Sequence, residues 1–102
     1  ENKILPITIK KVGVIGAGTM GSGIAKLFAL NDFSVVMVER EEGLLQIAME
    51  KVLRDADPKF QDKLSKVLKG SVRLEDIRDS DLVIEAVFEG EDLKKDIFKS
   101  LS

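Results

Sequence analysis

With 102 residues, 44% of them apolar and 33% charged, the chain is one small globular domain or part of one, which excludes a complete two-domain enzyme. Sixteen basic against 18 acidic residues leave a net charge of −2, so nothing in the balance argues for a nucleic-acid or anionic-membrane partner. Cysteine and histidine are both absent, which excludes disulfides, thiolate chemistry, imidazole metal sites and histidine acid–base catalysis within these residues. No apolar run approaches the roughly 20 residues of a membrane span. The opening Glu1-Asn2-Lys3-Ile4-Leu5-Pro6 does not read as a signal peptide. Without an initial Met, the chain is expected to be a processed protein or a piece of a longer one, with residues 1–9 an extension or linker and residues 10–102 the domain. The missing cysteines fit a reducing interior such as the cytoplasm.

Lys11–Gly16 (KVGVIG) is a short β-branched run ending in glycine and reads as a buried strand. A helix follows the glycines, with Met20, Ile24, Leu27 and Phe28 at helical spacing, and Asn31-Asp32 stops it. Ser34–Glu39 (SVVMVE) reads as a second buried strand. These residues form a βαβ unit with an expected right-handed crossover. A helix from about Glu41 carries Leu44, Leu45, Ala48 and Val52 on one face. The next helix has Asp57 as N-cap, Pro58 at its first position, a stripe of Phe60, Leu64, Val67 and Leu68, and Gly70 as its stop. A weak edge strand is expected at 71–74 and a stronger strand at 81–88, and Leu93, Ile97, Phe98 and Leu101 mark a last helix. The alternation points to an α/β fold, a Rossmann-type doubly wound and mostly parallel sheet in the order 3-2-1-4.

Gly16-x-Gly18-x-x-Gly21 has the spacing of a dinucleotide-binding turn, and its position between a strand and a helix strengthens the signal. Gly16 allows the sharp exit from the strand, Gly18 lets main chain approach a diphosphate, and Gly21 lets the helix lie against the strand. The intervening Ala17, Thr19 and Met20 complete the loop. Free amides and the helix dipole then hold the anion without a lysine. A P-loop is excluded, because no Gly-Lys-Ser/Thr follows. Glu39, 18 residues beyond Gly21, can accept hydrogen bonds from the adenosine ribose and repels a 2′-phosphate, which favours NAD over NADP. The neighbouring Arg40 pulls the other way. Glu39 could also simply favour the start of the next helix. These forty residues leave FAD open as an alternative to NAD.

The segment Lys11–Ala25 (KVGVIGAGTMGSGIA) resembles the opening of the 3-hydroxyacyl-CoA dehydrogenases, and Asp81–Glu89 (DLVIEAVFE) with Leu93-Lys94-Lys95 and Ile97-Phe98 resembles their fourth strand and following helix. The likeness runs from about Lys10 to Leu101. The 3-hydroxyisobutyrate and 6-phosphogluconate type dehydrogenases share the Met before the third glycine but lack the Ile-Glu-Ala-Val-x-Glu segment in this form. The resemblance implies hydride exchange between NAD and C3 of an acyl-CoA in fatty-acid β-oxidation. It places the diphosphate at Gly16–Gly21, the ribose acid at Glu39, and further cofactor contacts at Ala86, Glu89 and Lys94. It also implies that the catalytic His and the helical substrate domain lie beyond residue 102, so that these residues alone are inactive. Two features depart from the family pattern: Gly90 stands where Asn is usual, and the stretch between Glu39 and Val72 is short. Lys51, Lys59, Lys63, Lys66 and Lys69 read as a solvated helix face rather than as ligands of CoA. A free-standing nucleotide-binding module without catalysis is the alternative. An unpartnered fourth strand with Val83, Val87 and Phe88 predicts self-association, as a homo-oligomer or by strand exchange.

Overall fold

The computed structural model describes residues 9–86. Four parallel strands, β1 (Lys11–Ile15), β2 (Ser34–Val38), β3 (Leu68–Ser71) and β4 (Leu82–Glu85), form one sheet in the order β3-β2-β1-β4. Helix α1 (Thr19–Leu30) joins β1 to β2, and α2 (Glu42–Arg54) and α3 (Pro58–Val67) join β2 to β3. A short 3-10 turn at Leu74–Ile77 leads towards β4. This is the expected Rossmann-type architecture with β1 central.

Strand side chains alternate between two faces. Val12, Val14, Val35 and Met37, all fully buried, line one face and meet Ala25, Ala29, Leu45 and Leu64 from the helices. Burying each larger apolar side chain stabilises the fold by about 1.5–3 kcal/mol. On the other face Ile77 lies over Gly13, so closely that a Cβ at Gly13 would sit 2.7 Å from the Ile77 Cβ.

The expected apolar stripe of α1 is corrected. Met20 and Leu27 are 51% and 61% exposed, and the buried line is Gly21, Ala25 and Ala29. Small residues at this spacing let the helix axis approach the sheet, and of the expected stripe Ile24 and Phe28 pack against the core while Met20 and Leu27 point away. Leu44 and Phe60 are likewise exposed rather than part of the core.

The third strand is also corrected, from 71–74 to Leu68–Ser71. Helix α3 passes straight into it at Leu68, which is buried and pairs with Val35. Gly70 is therefore a strand residue, covered by Leu45 and Met49 of α2, and not a helix stop. Residues Val72 and Leu74 emerge exposed beyond the strand. β4 covers Leu82–Glu85 of the expected 81–88, and the ladder continues where the Ala86 N–H donates to the Ile15 carbonyl at 2.7 Å. Val87, Phe88, the last helix and residues 1–8 lie outside the described residues.

Other expected punctuation is present. Asp57 accepts from the Lys59 N–H at 3.1 Å with Pro58 opening α3, and the Gln61 side chain donates to the Leu53 carbonyl at the end of α2. At the far end of the sheet, the Asp81 carboxylate accepts from the N–H groups of Lys10 and Lys11 at 2.8 and 2.9 Å. Lys11 also pairs with Asp79, so the loop before β4 is fastened to the beginning of β1.

Candidate nucleotide-binding site

The turn from β1 into α1 uses its amides in two ways. Gly16, at φ 108°, takes a conformation that L side chains rarely adopt, and its N–H donates to the Val38 carbonyl at 2.8 Å. The Ala17 N–H donates to Glu39 Oε1 at 3.2 Å. The next amides, from Gly18 to Gly21, have no acceptor among the described residues. The first internal bond of α1 is donated by Ser22 to the Gly18 carbonyl. The N-cap is Gly18, which has no side chain to satisfy those donors, and no acidic residue lies in the first turn. Free amides and an uncompensated dipole therefore converge where an anion can sit.

Gly21 makes this geometry possible. A Cβ there would lie 3.5 Å from the Ala86 Cβ and would overlap the Gly16 carbonyl group, so the end of β4 comes within reach of the glycine turn. Ala86 is buried, and its small side chain leaves that junction open.

Beside the turn, at the carboxyl ends of β1, β2 and β4, a cleft of about 280 Å³ is lined by Ile15, Gly16, Val38, Glu39, Arg40, Leu74 and Glu85. Glu39, half-buried, and Arg40, exposed, thus share one cleft with the first glycine of the turn. The second oxygen of Glu39 accepts from the Glu41 N–H at 3.1 Å, just before α2. Glu39 therefore serves the start of α2 and faces the cleft at once. The fit to a dinucleotide is direct: donors for a diphosphate, an acid for ribose hydroxyls, and the apolar Leu74 beside them for a base.

Ala17 is buried in the turn, whereas Thr19 and Met20 are exposed at the start of α1. Glu89 and Lys94 lie outside the described residues. Sequence reasoning missed Leu74 and Glu85 as cleft residues. Glu85 carries a usable signal, since it is a charged residue inside an apolar strand, whereas Leu74 stood in a segment read as strand. Of the five lysines read as a solvated face, Lys63 pairs with Asp32 and Lys66 with Asp62. Lys51, together with Lys26, Thr19 and Ser22, lines a second cleft of about 170 Å³ between α1 and the end of α2.

Comparison with known proteins agrees with this geometry. Residues 11–102 match the family described as 3-hydroxyacyl-CoA dehydrogenase, NAD binding domain. The peroxisomal bifunctional enzyme of Danio rerio is 44% identical over 105 residues, covering 99% of this chain and 15% of the relative. A 3-hydroxybutyryl-CoA dehydrogenase of Bradyrhizobium diazoefficiens is 39% identical over 106 residues, covering 91% of this chain and 35% of its own length. Among solved structures, the (S)-3-hydroxybutyryl-CoA dehydrogenase PaaH1 of Ralstonia eutropha superposes with a TM-score of 0.74 at 33% identity, over 92% of this chain and 36% of that one. M. tuberculosis FadB2 superposes with a TM-score of 0.75 at 34% identity, again over 92% of this chain and 36% of that one. The chain thus spans a minor part of each of these relatives. The match decides the cofactor in favour of NAD over FAD. The chain belongs to the 3-hydroxyacyl-CoA dehydrogenase family, as its NAD-binding domain.

Proposed function

We propose that this domain holds NAD for hydride exchange with C3 of a 3-hydroxyacyl-CoA in fatty-acid β-oxidation, as part of a larger enzyme in which residues 1–9 are an extension or linker. The observation that carries the reading is the set of amides from Gly18 to Gly21 that have no acceptor among the described residues, at a helix start whose first turn holds no acidic side chain. In this reading Gly16, Ala17, Gly18, Thr19, Met20 and Gly21 form the diphosphate loop. Glu39 accepts from the adenosine ribose hydroxyls, and Arg40 and Leu74 flank the adenine. Ala86, Glu89 and Lys94 extend the site towards the nicotinamide. NAD, when bound, supplies the hydride acceptor. The chain's own residues bind and orient it and supply no proton acceptor of the histidine type. The catalytic His and the substrate domain belong to the rest of the parent enzyme.

Lys26 and Lys51, in the cleft beside the start of α1, suit an anionic group of the acyl-CoA. Among the described residues no helix is long and apolar enough to cross a membrane. The relatives include a peroxisomal enzyme and a glyoxysomal one of Brassica napus. The parent enzyme would work in a peroxisome or mitochondrion of a eukaryote, or in a bacterial cytoplasm. The isolated chain is expected to self-associate along β4, where Val83 is 46% exposed. A purely monomeric gel-filtration profile at high concentration would count against that.

Calorimetric titration of the chain and of Glu39→Ala with NAD, NADP, ADP and FAD tests the reading. NAD and ADP should bind with similar affinity and NADP more weakly, with the preference lost in Glu39→Ala. Tighter binding of NADP than of NAD to the unmodified chain would overturn the role of Glu39. Absence of NAD binding would overturn the whole reading.

A further inference from the structure

We infer that Glu39 is also a positioning residue for the diphosphate loop, a role separate from any contact with ribose. The inference rests on the NAD-binding reading and deepens it. Both carboxylate oxygens of Glu39 are engaged by main chain from different segments. Oε1 takes the Ala17 N–H at 3.2 Å, and Oε2 takes the Glu41 N–H at 3.1 Å. The side chain therefore ties the glycine turn to the junction of β2 and α2.

The division of amides along the turn gives this tie its consequence. Gly16 is anchored by the Val38 carbonyl and Ala17 by the Glu39 carboxylate, while Gly18 to Gly21 have no acceptor among the described residues. Two successive anchors fix the plane of the chain just before the free donors begin. They also keep the Ala17 N–H out of the anion site, so that the free set begins at Gly18. A carboxylate is a stronger acceptor than a neutral carbonyl, and its hydrogen bonds are correspondingly stronger. Each of its oxygens keeps a second acceptor position, so a ribose hydroxyl can be received without releasing Ala17. The anchoring of the loop and the reading of the sugar then use the same oxygens at the same time.

The two roles separate when the sugar hydroxyls are removed from the ligand. The test is titration of the chain and of Glu39→Ala and Glu39→Gln with ADP and with 2′,3′-dideoxy-ADP, each variant first checked for folding by circular dichroism. If Glu39 positions the loop, Glu39→Ala weakens dideoxy-ADP binding by about tenfold, the equivalent of one net hydrogen bond. Glu39→Gln, whose amide oxygen can still accept from Ala17 but whose NH2 group cannot accept from the Glu41 N–H, restores part of that loss for dideoxy-ADP. Unchanged dideoxy-ADP affinity in Glu39→Ala, with ADP affinity reduced, overturns the positioning role and leaves the ribose role standing. An unmodified chain that binds neither ligand overturns both this inference and the NAD-binding reading.

Discussion

A Cβ on Gly21 would lie 1.9 Å from the carbonyl oxygen of Gly16 and 2.8 Å from its carbonyl carbon. The third glycine of the turn thus rests on the main chain of the first, and main chain at that point cannot rotate away as a side chain could. Gly21→Ala should lift the start of α1 off β1, lowering stability by about 3 kcal/mol and weakening NAD binding. Gly23, two residues later and therefore on the opposite side of the same helix, has nothing within 4 Å of its missing Cβ among the described residues. Gly23→Ala should raise stability by about 0.5–1 kcal/mol, since a glycine in a helix interior gives up more backbone freedom on folding. Urea unfolding of both variants checks the contrast, and equal behaviour would contradict the close packing of α1 on β1.

Gly13 has a similar role on the other face of the sheet. An alanine there would bring its Cβ to 2.7 and 2.8 Å from Cβ and Cγ2 of Ile77 and to 2.9 Å from Ser80 Oγ. The Cβ of the buried Ile77 is fixed to its own main chain, so the 3-10 turn itself must move, but the overlap is less severe than the 1.9 Å approach at Gly21. Gly13→Ala should therefore cost about 1–3 kcal/mol, less than Gly21→Ala. Thermal unfolding of the two variants side by side would show whether that order holds.

The end of α1 offers a test at a non-glycine residue. Asp32 has φ 75°, and its N–H donates to the Ala29 carbonyl while the Phe33 N–H donates to the Phe28 carbonyl. Phe28 and Phe33 then pack edge to face with centroids 5.2 Å apart. This is the hydrogen-bond pattern and the apolar contact of a Schellman motif, which favours glycine where Asp32 stands. Asp32→Gly should gain up to about 1 kcal/mol, because the ion pair it loses with Lys63 involves a largely exposed carboxylate and contributes little. Asp32→Val should lose at least about 1 kcal/mol for its left-handed backbone. Denaturation midpoints that rank valine at or above glycine would refute this explanation of the turn.

Acid sensitivity should arise at the opposite end of the sheet from the cleft. The Lys10 and Lys11 amides hold the Asp81 carboxyl below its ordinary value of 3.8. The Lys11 ammonium, through its hydrogen bond, does the same for Asp79. Both groups bind protons less readily in the folded chain than in the unfolded one. Their contribution is therefore fully present above about pH 4 and is lost as pH falls through the lowered folded values. The difference in urea midpoint between the unmodified chain and Asp81→Asn should be present at pH 7 and shrink towards pH 3. A difference that stays constant between those pH values would exclude the Asp81 clamp as its source.

Strands β1 and β2 were legible because buried parallel strands are nearly continuous β-branched runs, and β4 shows the same composition in LVIE although it is only half-buried. β3 was misplaced by three residues. Its position is decided by Leu45 and Met49 packing over Gly70, a contact between segments that no local pattern displays. The buried face of α1 was misread for a related reason. Gly21, Ala25 and Ala29 contribute almost nothing to a hydrophobic periodicity, yet close approach to the sheet selects them over Met20 and Leu27. At the cleft, the glycine turn and Glu39 could be read because their roles follow from main-chain geometry at fixed spacing. Leu74 could not, because the path from β3 to β4 brings it there from a distant position, whereas Glu85 showed only as a charge inside an apolar strand.

In the proposed function the main-chain amides at the start of α1 hold the diphosphate of NAD. The most direct measurement is a titration of the ¹⁵N-labelled chain with NAD, followed through its amide resonances. Saturable shifts that are largest at Gly18, Thr19, Met20 and Gly21, with smaller ones at Glu39 and Arg40, are the expected result. Saturable binding that leaves the amides from Gly18 to Gly21 unmoved would contradict the claim.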